Sequence, residues 1–349
     1  MVGPQAGRWI DQRGGRVVLP FTNLMFACGL LMLALASGPI SLLSAWIVLG
    51  LAMGYGLYDA AFASLVYLYG SQSRTPITGI TLIAGFASTV GWPLSALMLD
   101  AIGWRGAVTV WAVLHVSFGL VLNRFIPHRP SQDDSATVSA EQATVADLNP
   151  TKPVEPTTDA DPTSKPVELP AYASVLLVFA FAASGFVSSA MSAHLPALLQ
   201  AAGSSLALAV TAGALIGPAQ VGARLFQFGA LGRAHPLWSA WISTLTHPIA
   251  VLILFFGGPL WSMAFTVFHG LGNGTLTIAR GALPLALFGA AGYGERIGKL
   301  MALSRFTQAL APWLFGLAIT QWQANAMWIG FAVSLAAFIA LLRFRPLVT

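Results

Sequence analysis

Charged residues are scarce in this sequence: they make up 8% of its 349 residues, while hydrophobic residues make up 56%. A water-soluble globular domain carries about 25% charged residues, so that class is excluded. Only one cysteine, Cys28, is present, which excludes an intrachain disulfide. The phosphate-binding pattern Gly-x-x-x-x-Gly-Lys is also missing, so ATP drive would need another subunit. The composition therefore indicates an integral membrane protein.

Long apolar runs are what the sequence does contain. A membrane-spanning helix needs about 20 apolar residues, and ten such runs can be read along the chain. They cover residues 17–36, 42–69, 77–99, 106–125, 172–194, 204–223, 237–257, 260–280, 298–319 and 325–342. The runs are continuous and contain the Gly and Pro that membrane helices tolerate. We predict an all-α polytopic membrane protein with about ten transmembrane helices.

The distribution of Lys and Arg predicts the orientation. If Arg16 lies inside the cell, sixteen of the 17 basic residues lie in or beside inside loops, and only Arg105 lies outside. Cytoplasmic loops carry the excess of positive charge. We therefore predict a multi-pass protein of the cell (inner, cytoplasmic) membrane with both termini in the cytoplasm. This topology accounts for the net charge of +5, so no nucleic-acid partner is predicted.

One polar segment, residues 127–170, interrupts the apolar runs. It contains eight prolines and eight carboxylates and has no aromatic residue. Such a composition cannot bury enough apolar surface to fold, so we predict a disordered cytoplasmic linker. A spacer is favoured over a regulatory tether. The linker divides the chain into a helical bundle over 1–126, with four full spans, and a second bundle over 171–349, with six spans.

The two bundles align with each other as a weak internal repeat. At an offset of 214 residues the matched pairs are Gly3-Pro4 with Gly217-Pro218, Tyr55 with His269, and Asp59 with Asn273. Paired halves of this kind are typical of transporters, whose substrate site lies between the repeats. The second half has 46 residues ahead of its Gly-Pro, whereas the first has two. The repeat therefore predicts that two further helices belong upstream of Met1.

The polar stretch ahead of the first span contains a spaced motif. Gly7, Asp11, Gly14 and Arg16 follow the pattern Gly-x-x-x-Asp-x-x-Gly-Arg-[Lys/Arg], with Gly15 in place of its first basic residue. By this motif the chain resembles the major facilitator superfamily, in which this loop joins the second and third helices. The stretch 217–233 is similar to the degenerate second copy of the same loop, although it has no acidic residue.

The resemblance implies a fold of six plus six helices, of which this chain lacks the first two. It also implies that the Gly7–Arg16 loop latches a cytoplasmic gate. An ordinary basic turn that enforces topology is the alternative. A weaker similarity, to the monocarboxylate-porter branch, rests on the spacing of Tyr69, Arg74 and Gly79.

Only one acidic residue is predicted to lie inside the membrane. Eight of the 12 carboxylates are in the linker, and Asp11, Asp100 and Glu295 fall in loops, which leaves Asp59. Asp59 is ten residues from the end of its span near Tyr69, or about 15 Å along a helix. An intramembrane carboxylate is a functional hypothesis by default. We predict that Asp59 exchanges a proton between two access states; a neutral carboxyl that only packs is the alternative.

Four residues are predicted to face one another across a substrate path. Tyr55 and Asp59 lie four residues apart in the first half, as His269 and Asn273 do in the second, so each pair shares a helix face. The resemblance places these fourth and tenth helices of the family around the central cavity. His269 could bind substrate or relay protons; satisfied packing is the alternative.

A deep arginine completes the candidate site. Arg305 lies about ten residues into its span. It could attract an anionic substrate, pair with Asp59 or Asp11, or snorkel to the cytoplasmic surface. We expect Arg224 and Arg280 to snorkel, because they lie at the inner ends of their helices.

Together these features predict a secondary active transporter that moves a small solute by alternating access, coupled to protons. We expect a monomer in the lipid bilayer that needs no cofactor and no metal. Two other classes remain: a transport-dead receptor or scaffold, and a membrane-embedded enzyme. The enzyme is disfavoured because the four carboxylates outside the linker are far apart in the sequence. A weak organic acid, a hydrophobic drug and a sugar-like solute are all compatible substrates.

Overall fold

The computed structural model of the chain describes residues 2–127, 171–232 and 234–345. Within these ranges the regular structure is helical throughout, without a strand. The predicted linker, apart from Pro127, lies outside the described residues, as does Arg233.

Seven α-helices form the described part of the N-terminal half. They are α1 (Gly3–Arg13), α2 (Gly15–Ala34), α3 (Pro39–Gly56), α4 (Tyr58–Tyr69), α5 (Arg74–Gly85), α6 (Ala87–Leu114) and α7 (Leu120–Arg124). A 3-10 turn, Gly70–Ser73, precedes α5, and a π-helical turn, His115–Gly119, joins α6 to α7. Within α6 the helix is interrupted at Gly103, whose φ is +71°.

Seven further α-helices follow in the described part of the C-terminal half. They are α8 (Ala171–Ala201), α9 (Leu206–Ala214), α10 (Ile216–Gly229), α11 (Pro236–Gly257), α12 (Ser262–Phe288), α13 (Tyr293–Trp322) and α14 (Met327–Leu342). The turns Pro259–Trp261 and Gln323–Ala326 are 3-10 helical.

Helices cover the ten predicted spans, which confirms the all-α polytopic fold. Seven stretches in the described ranges are long and apolar enough to cross a membrane. Two of them, Pro39–Gly85 and Tyr293–Leu342, contain 47 and 50 residues, more than one crossing needs. The predicted span 260–280 is helical within α12 but is not among the seven. The chain is a multi-pass membrane protein.

The run predicted as one helix over 42–69 is broken between α3 and α4. Leu57 is extended there, with φ −88° and ψ −165°. Glycines at 54 and 56 lower the helix propensity before the break. The carbonyl oxygen of Tyr55, freed from the helix, accepts a hydrogen bond from Thr22 Oγ1 at 3.1 Å. Smaller breaks at Phe86 and Leu215 separate α5 from α6 and α9 from α10.

The buried core has two parts. One cluster joins both halves, with Phe62 and Ile77 of the first half packed among Leu283 and Tyr293 of the second. The other, around Met191, lies wholly in the second half. Helices of the two halves meet in the pairs α1–α13, α4–α13, α5–α10 and α5–α12. We call the end of the bundle formed by the end of α1 and the starts of α5 and α13 the basic end.

Candidate functional site

Helices α1 and α13 pack backbone against backbone at the basic end. Gly3 and Gly7 on α1 face Gly298 and Gly294 on α13, so two Gly-x-x-x-Gly faces meet. A Cβ atom on Gly7 would overlap the carbonyl oxygen of Gly294, and one on Gly298 would lie 2.5 Å from that of Gly3. Small residues allow helices in membranes to approach this closely. The contact therefore depends on glycine on both helices.

Asp11 joins the end of α1 to the start of α13. Its Oδ1 accepts a hydrogen bond from the Gly294 N–H at 2.8 Å, and its Oδ2 accepts one from the Glu295 N–H at 2.9 Å. The first N–H groups of a helix have no partner within that helix and form the positive end of its dipole. A carboxylate from one half thus caps a helix of the other half.

An exposed ion-pair network flanks this cap. Arg8 donates to Glu295 through Nε at 3.1 Å and Nη2 at 2.8 Å, and Lys299 Nζ lies 2.7 Å from Glu295 Oε1. The side chain of Arg8 is 59% exposed. Exposed pairs contribute about 0–1 kcal/mol because solvent screens them. The hydrogen bonds of Asp11 are therefore the stronger part of the contact.

The other two motif residues act within the N-terminal half. Gly14 separates α1 from α2 with φ +75° and ψ 162°, a backbone region that is essentially restricted to glycine. Arg16 donates through Nη1 to the carbonyl oxygen of Ile126 at 3.1 Å. Gly7 and Asp11 are thus the motif residues that reach the opposite half.

A second contact between the halves also lies at the basic end. Arg74, at the start of α5, donates through Nη2 to the carbonyl oxygens of Ala234 and, at 3.4 Å, Leu231. Both carbonyls belong to the turn between α10 and α11, where the degenerate second copy of the loop motif ends. His235, in the same turn, accepts the Leu237 N–H at 3.2 Å. Burial and, to a lesser extent, the charge of Arg74 lower the pKa of His235.

An ion pair connects the two halves deeper in the bundle. Arg305 Nη2 on α13 lies 2.8 Å from Asp59 Oδ2 on α4, and the side chains are 48% and 22% exposed. The pair lines a cavity of about 270 Å³ whose wall includes Gly50, Gly54 and Ala302. Because Leu57 breaks the helix, Asp59 falls in the first turn of α4, where the helix dipole favours a carboxylate.

Two further arginines turn inward, so the expectation that they snorkel is wrong. Arg224 is only 5% exposed, and its Nη2 lies 3.5 Å from Thr277 Oγ1. Arg280 donates to the carbonyl oxygen of Phe181 at 3.4 Å and lies 3.5 Å from Ser304 Oγ. The Nε atom of each arginine is buried without a hydrogen-bond partner. Sequence position did not reveal this, because both arginines lie at the ends of the predicted spans 204–223 and 260–280, whereas α10 and α12 continue to Gly229 and Phe288.

Arg280 also lies within electrostatic range of both Asp59 and Arg305. Arg305 is the guanidinium that contacts Asp59 directly beside the cavity. Protonation of Asp59 would leave Arg305 without its anionic partner.

A second polar cluster is enclosed in the C-terminal half. His269 Nε2 lies 3.1 Å from Asn273 Nδ2, and His269 Nδ1 lies 3.1 Å from His247 Nδ1. Both histidines are 4% exposed. The sequence assigned no partner to His247, although His247 and His269 each lie eleven residues from Gly258, at the turn between α11 and α12. Their equal distance from the turn of a helical hairpin is the signal in the sequence that could have predicted their contact.

The structure does not bring the four predicted path residues together. Asp59 lines the cavity beside Arg305, whereas His269 and Asn273 line a separate cavity of about 10 Å³. Tyr55 packs edge-on against Trp9, with ring centroids 6.0 Å apart. The physical reason is the break at Leu57, which ends the helical register that would have put Tyr55 and Asp59 on one face. The roles of these residues stay predictions.

A sequence profile described as "Major Facilitator Superfamily" matches residues 1–257. This chain belongs to the Major Facilitator Superfamily. No curated protein sequence matches it.

Solved structures of superfamily members share its fold. A variant of the Escherichia coli fucose:proton symporter FucP is 14% identical, with a TM-score of 0.67 over 99% of this chain and 87% of that one. The proton:xylose symporter XylE, bound to 6-bromo-6-deoxy-D-glucose, is 12% identical, with a TM-score of 0.72 over 99% and 83%. The human organic anion transporter MFSD10 is 17% identical, with a TM-score of 0.67 over 97% and 79%. At these identities the likeness establishes the fold.

Proposed function

We propose that this superfamily member is a secondary active transporter that moves a small solute by alternating access and couples this movement to protons through Asp59. The observation that carries the proposal is the ion pair between Asp59 and Arg305, which joins the two halves beside a cavity. Two of the similar structures are described as proton symporters, which supports the coupling ion.

The ion pair offers a simple link between protonation and movement. While Asp59 is charged, its attraction to Arg305 holds α4 against α13. A proton on Asp59 removes that attraction and leaves Arg305 available to polar groups of a solute in the cavity. Because the side chains are partly exposed, the pair itself is worth about 1 kcal/mol or less. Such a small energy suits a step that must reverse in every transport cycle.

The contacts at the basic end would form the gate. Basic residues of the described ranges gather there, and positive charge marks the cytoplasmic side, so we assign this end to the cytoplasm. The protein would then be a cell-membrane protein with both termini inside. On this assignment the state described is closed to the cytoplasm. It is held by the contacts that Gly7 and Asp11 make with α13 and by the contact that Arg74 makes with the α10–α11 turn. Opening requires both contacts to separate.

The test is uptake into proteoliposomes containing the purified full-length protein, with a panel of sugars and organic acids and an imposed pH gradient. We expect one solute class to accumulate with the gradient. Asp59→Asn should abolish gradient-driven accumulation but retain exchange of solute at equal pH, because asparagine mimics the protonated carboxyl. Asp100→Asn, which alters an exposed carboxylate on α6, is the matched control.

Two results would contradict the proposal. Full gradient-driven accumulation by the Asp59→Asn variant would remove Asp59 from proton coupling. The absence of flux for all solutes under all gradients would overturn transport itself.

A further inference from the structure

Three side chains of the C-terminal half, including the two histidines, form a hydrogen-bonded chain. One end of this chain has no hydrogen-bond partner. Asn273 contacts His269, His269 contacts His247, and His247 Nε2 is buried without a hydrogen-bond partner. That nitrogen faces α14, since a Cβ on Gly330 would lie 2.7 Å from it. The chain thus begins at an amide and ends at an unsatisfied ring nitrogen.

The hydrogen-bond directions along this chain are linked. When the Asn273 Nδ2–H donates to His269 Nε2, a neutral His269 carries its proton on Nδ1. His269 then donates to His247 Nδ1, and His247 carries its own proton on Nε2. If the amide turns over, its Oδ1 accepts from His269 Nε2–H and both imidazoles change tautomer. In that neutral state His247 Nε2 is a bare acceptor.

One additional proton fits this chain with every contact preserved. With the amide oxygen facing His269, that ring can carry protons on both nitrogens and donate to Asn273 and to His247. His247 then holds its proton on Nε2. A second additional proton would place two N–H groups against each other across the 3.1 Å between the Nδ1 atoms. The geometry therefore has room for one proton and excludes two.

The surroundings can accommodate that one charge. The small cavity is lined by hydroxyl groups from three helices, namely Ser184, Ser188, Ser243 and Ser334, and among its other lining residues none is acidic or basic apart from the two histidines. Its volume of about 10 Å³ is close to that needed for one water molecule. Hydroxyl oxygens and the amide oxygen are suitable acceptors for a buried imidazolium.

We propose that His247, His269 and Asn273 form a binding site for a single proton within the C-terminal half, separate from Asp59. The site lies between α8, α11, α12 and α14 of one half, rather than between the halves. Binding of the proton requires the Asn273 amide oxygen to face His269.

A polar stripe on α12 connects this site to the ion pair. Asn273, Thr277 and Arg280 follow His269 along one side of the helix, and Thr277 Oγ1 donates to the Asn273 carbonyl oxygen at 3.1 Å. Arg280 is about 16 Å from His269 along the helix axis, at 1.5 Å per residue. Arg280 in turn is within range of the electrostatic attraction of Asp59, without a direct contact. A proton on the imidazole pair therefore sits on the same helix as a cation that faces the proposed coupling carboxylate.

The test is a pH titration of the full chain in lipid nanodiscs, observed by NMR of ¹⁵N-labelled histidine. The sequence has six histidines; His247→Gln and His269→Gln assign the signals, and His194→Gln is the control. We expect the rings of His247 and His269 to change together in one step with an uptake of one proton. Asn273→Leu should weaken proton binding about tenfold or more, because it removes the acceptor for the charged ring.

Several results would overturn the proposal. These are independent titration of the two rings, no change of either ring between about pH 4 and pH 9, or an unaltered midpoint in Asn273→Leu. The titration requires no solute and leaves Asp59 in place. Its failure is therefore distinct from a failure of the transport proposal, which the Asp59→Asn uptake experiment tests.

Discussion

Removing the Asp11 carboxylate should shift the protein toward the state open at its basic end. Asp11→Ala deletes the acceptor of the Gly294 and Glu295 N–H groups, at 2.8 and 2.9 Å. A hydrogen bond to a charged group contributes about 1.5–3 kcal/mol. Because Asp11 is only half-buried, water replaces part of that energy, and we take about 2 kcal/mol for the pair. This corresponds to about a 30-fold change in the ratio of closed to open protein.

The assay is a distance measurement between spin labels on the two halves. The labels are attached to cysteines that replace Gln72 and Ala291, two exposed residues near the starts of α5 and α13. The lone Cys28 is replaced by serine, so that these two positions are the labelling sites. In the parent protein we expect one short distance. In Asp11→Ala we expect a growing population at longer distance together with reduced transport, while insertion into the membrane stays intact.

Asp100→Ala provides the control, since this carboxylate is exposed on α6 and belongs to neither contact between the halves. It should leave both the distance and the transport rate unchanged. An Asp11→Ala protein with the same distance distribution as Asp100→Ala would show that the two hydrogen bonds do not hold the basic end closed. The Asp11 cap on α13 would then have no part in closing the bundle.

Two further predictions concern the same end of the bundle. Gly7→Ala should separate α1 from α13 in the same distance assay, because its Cβ would overlap the Gly294 carbonyl oxygen, whereas Gly79→Ala should not, since nothing lies within 4 Å of its Cβ. The lowered pKa of His235 means that the unfolded chain binds more protons at this position. Its contribution to stability is therefore present at neutral pH and is lost as the pH falls below about 6.5. Thermal unfolding between pH 7 and 5 should show a smaller loss for His235→Gln, and an equal loss would contradict the assignment.

The membrane-spanning pattern was predictable because a bilayer demands apolar length whatever the helices pack against. The break at Leu57 was not predictable from the apolar run. It depends on a partner outside that run: the Thr22 hydroxyl donates to the freed Tyr55 carbonyl, and the Thr22 methyl group occupies the space where a Cβ of Gly56 would lie. Hydrophobic periodicity does not report such tertiary hydrogen bonds.

The candidate site was likewise predictable only in part, because tertiary contacts decide which of its residues meet. Counting residues along each span predicts that Asp59 and Arg305 lie away from the membrane surface, and pairing with Asp59 was one of four alternatives for Arg305. Only the packing of α4 on α13 selects it. His247 has no acidic or metal-like neighbour near it in the sequence, so the sequence alone predicts no role for it. Its partner, His269, lies across a helical hairpin, where antiparallel geometry rather than sequence spacing brings the rings to 3.1 Å.

The two contacts at the basic end occupy repeat-related places but use opposite chemistry. In one, the Asp11 carboxylate accepts N–H groups at the start of α13; in the other, Arg74 donates to carbonyl oxygens after α10. Both charged side chains belong to the N-terminal half, and in these hydrogen bonds the C-terminal half supplies backbone groups alone. This arrangement explains how the second copy of the loop can lack an acid and still engage its partner.

The use of backbone groups also bears on the energy of opening. Helix-terminal N–H and turn carbonyl groups near the surface find water when the halves separate, so their release costs less than that of a buried pair. On the proposed cycle, closed and open states can then differ by only a few kcal/mol, which a proton and a solute can supply. A gate built from buried ion pairs would be harder to reopen, because each separated charge would remain desolvated.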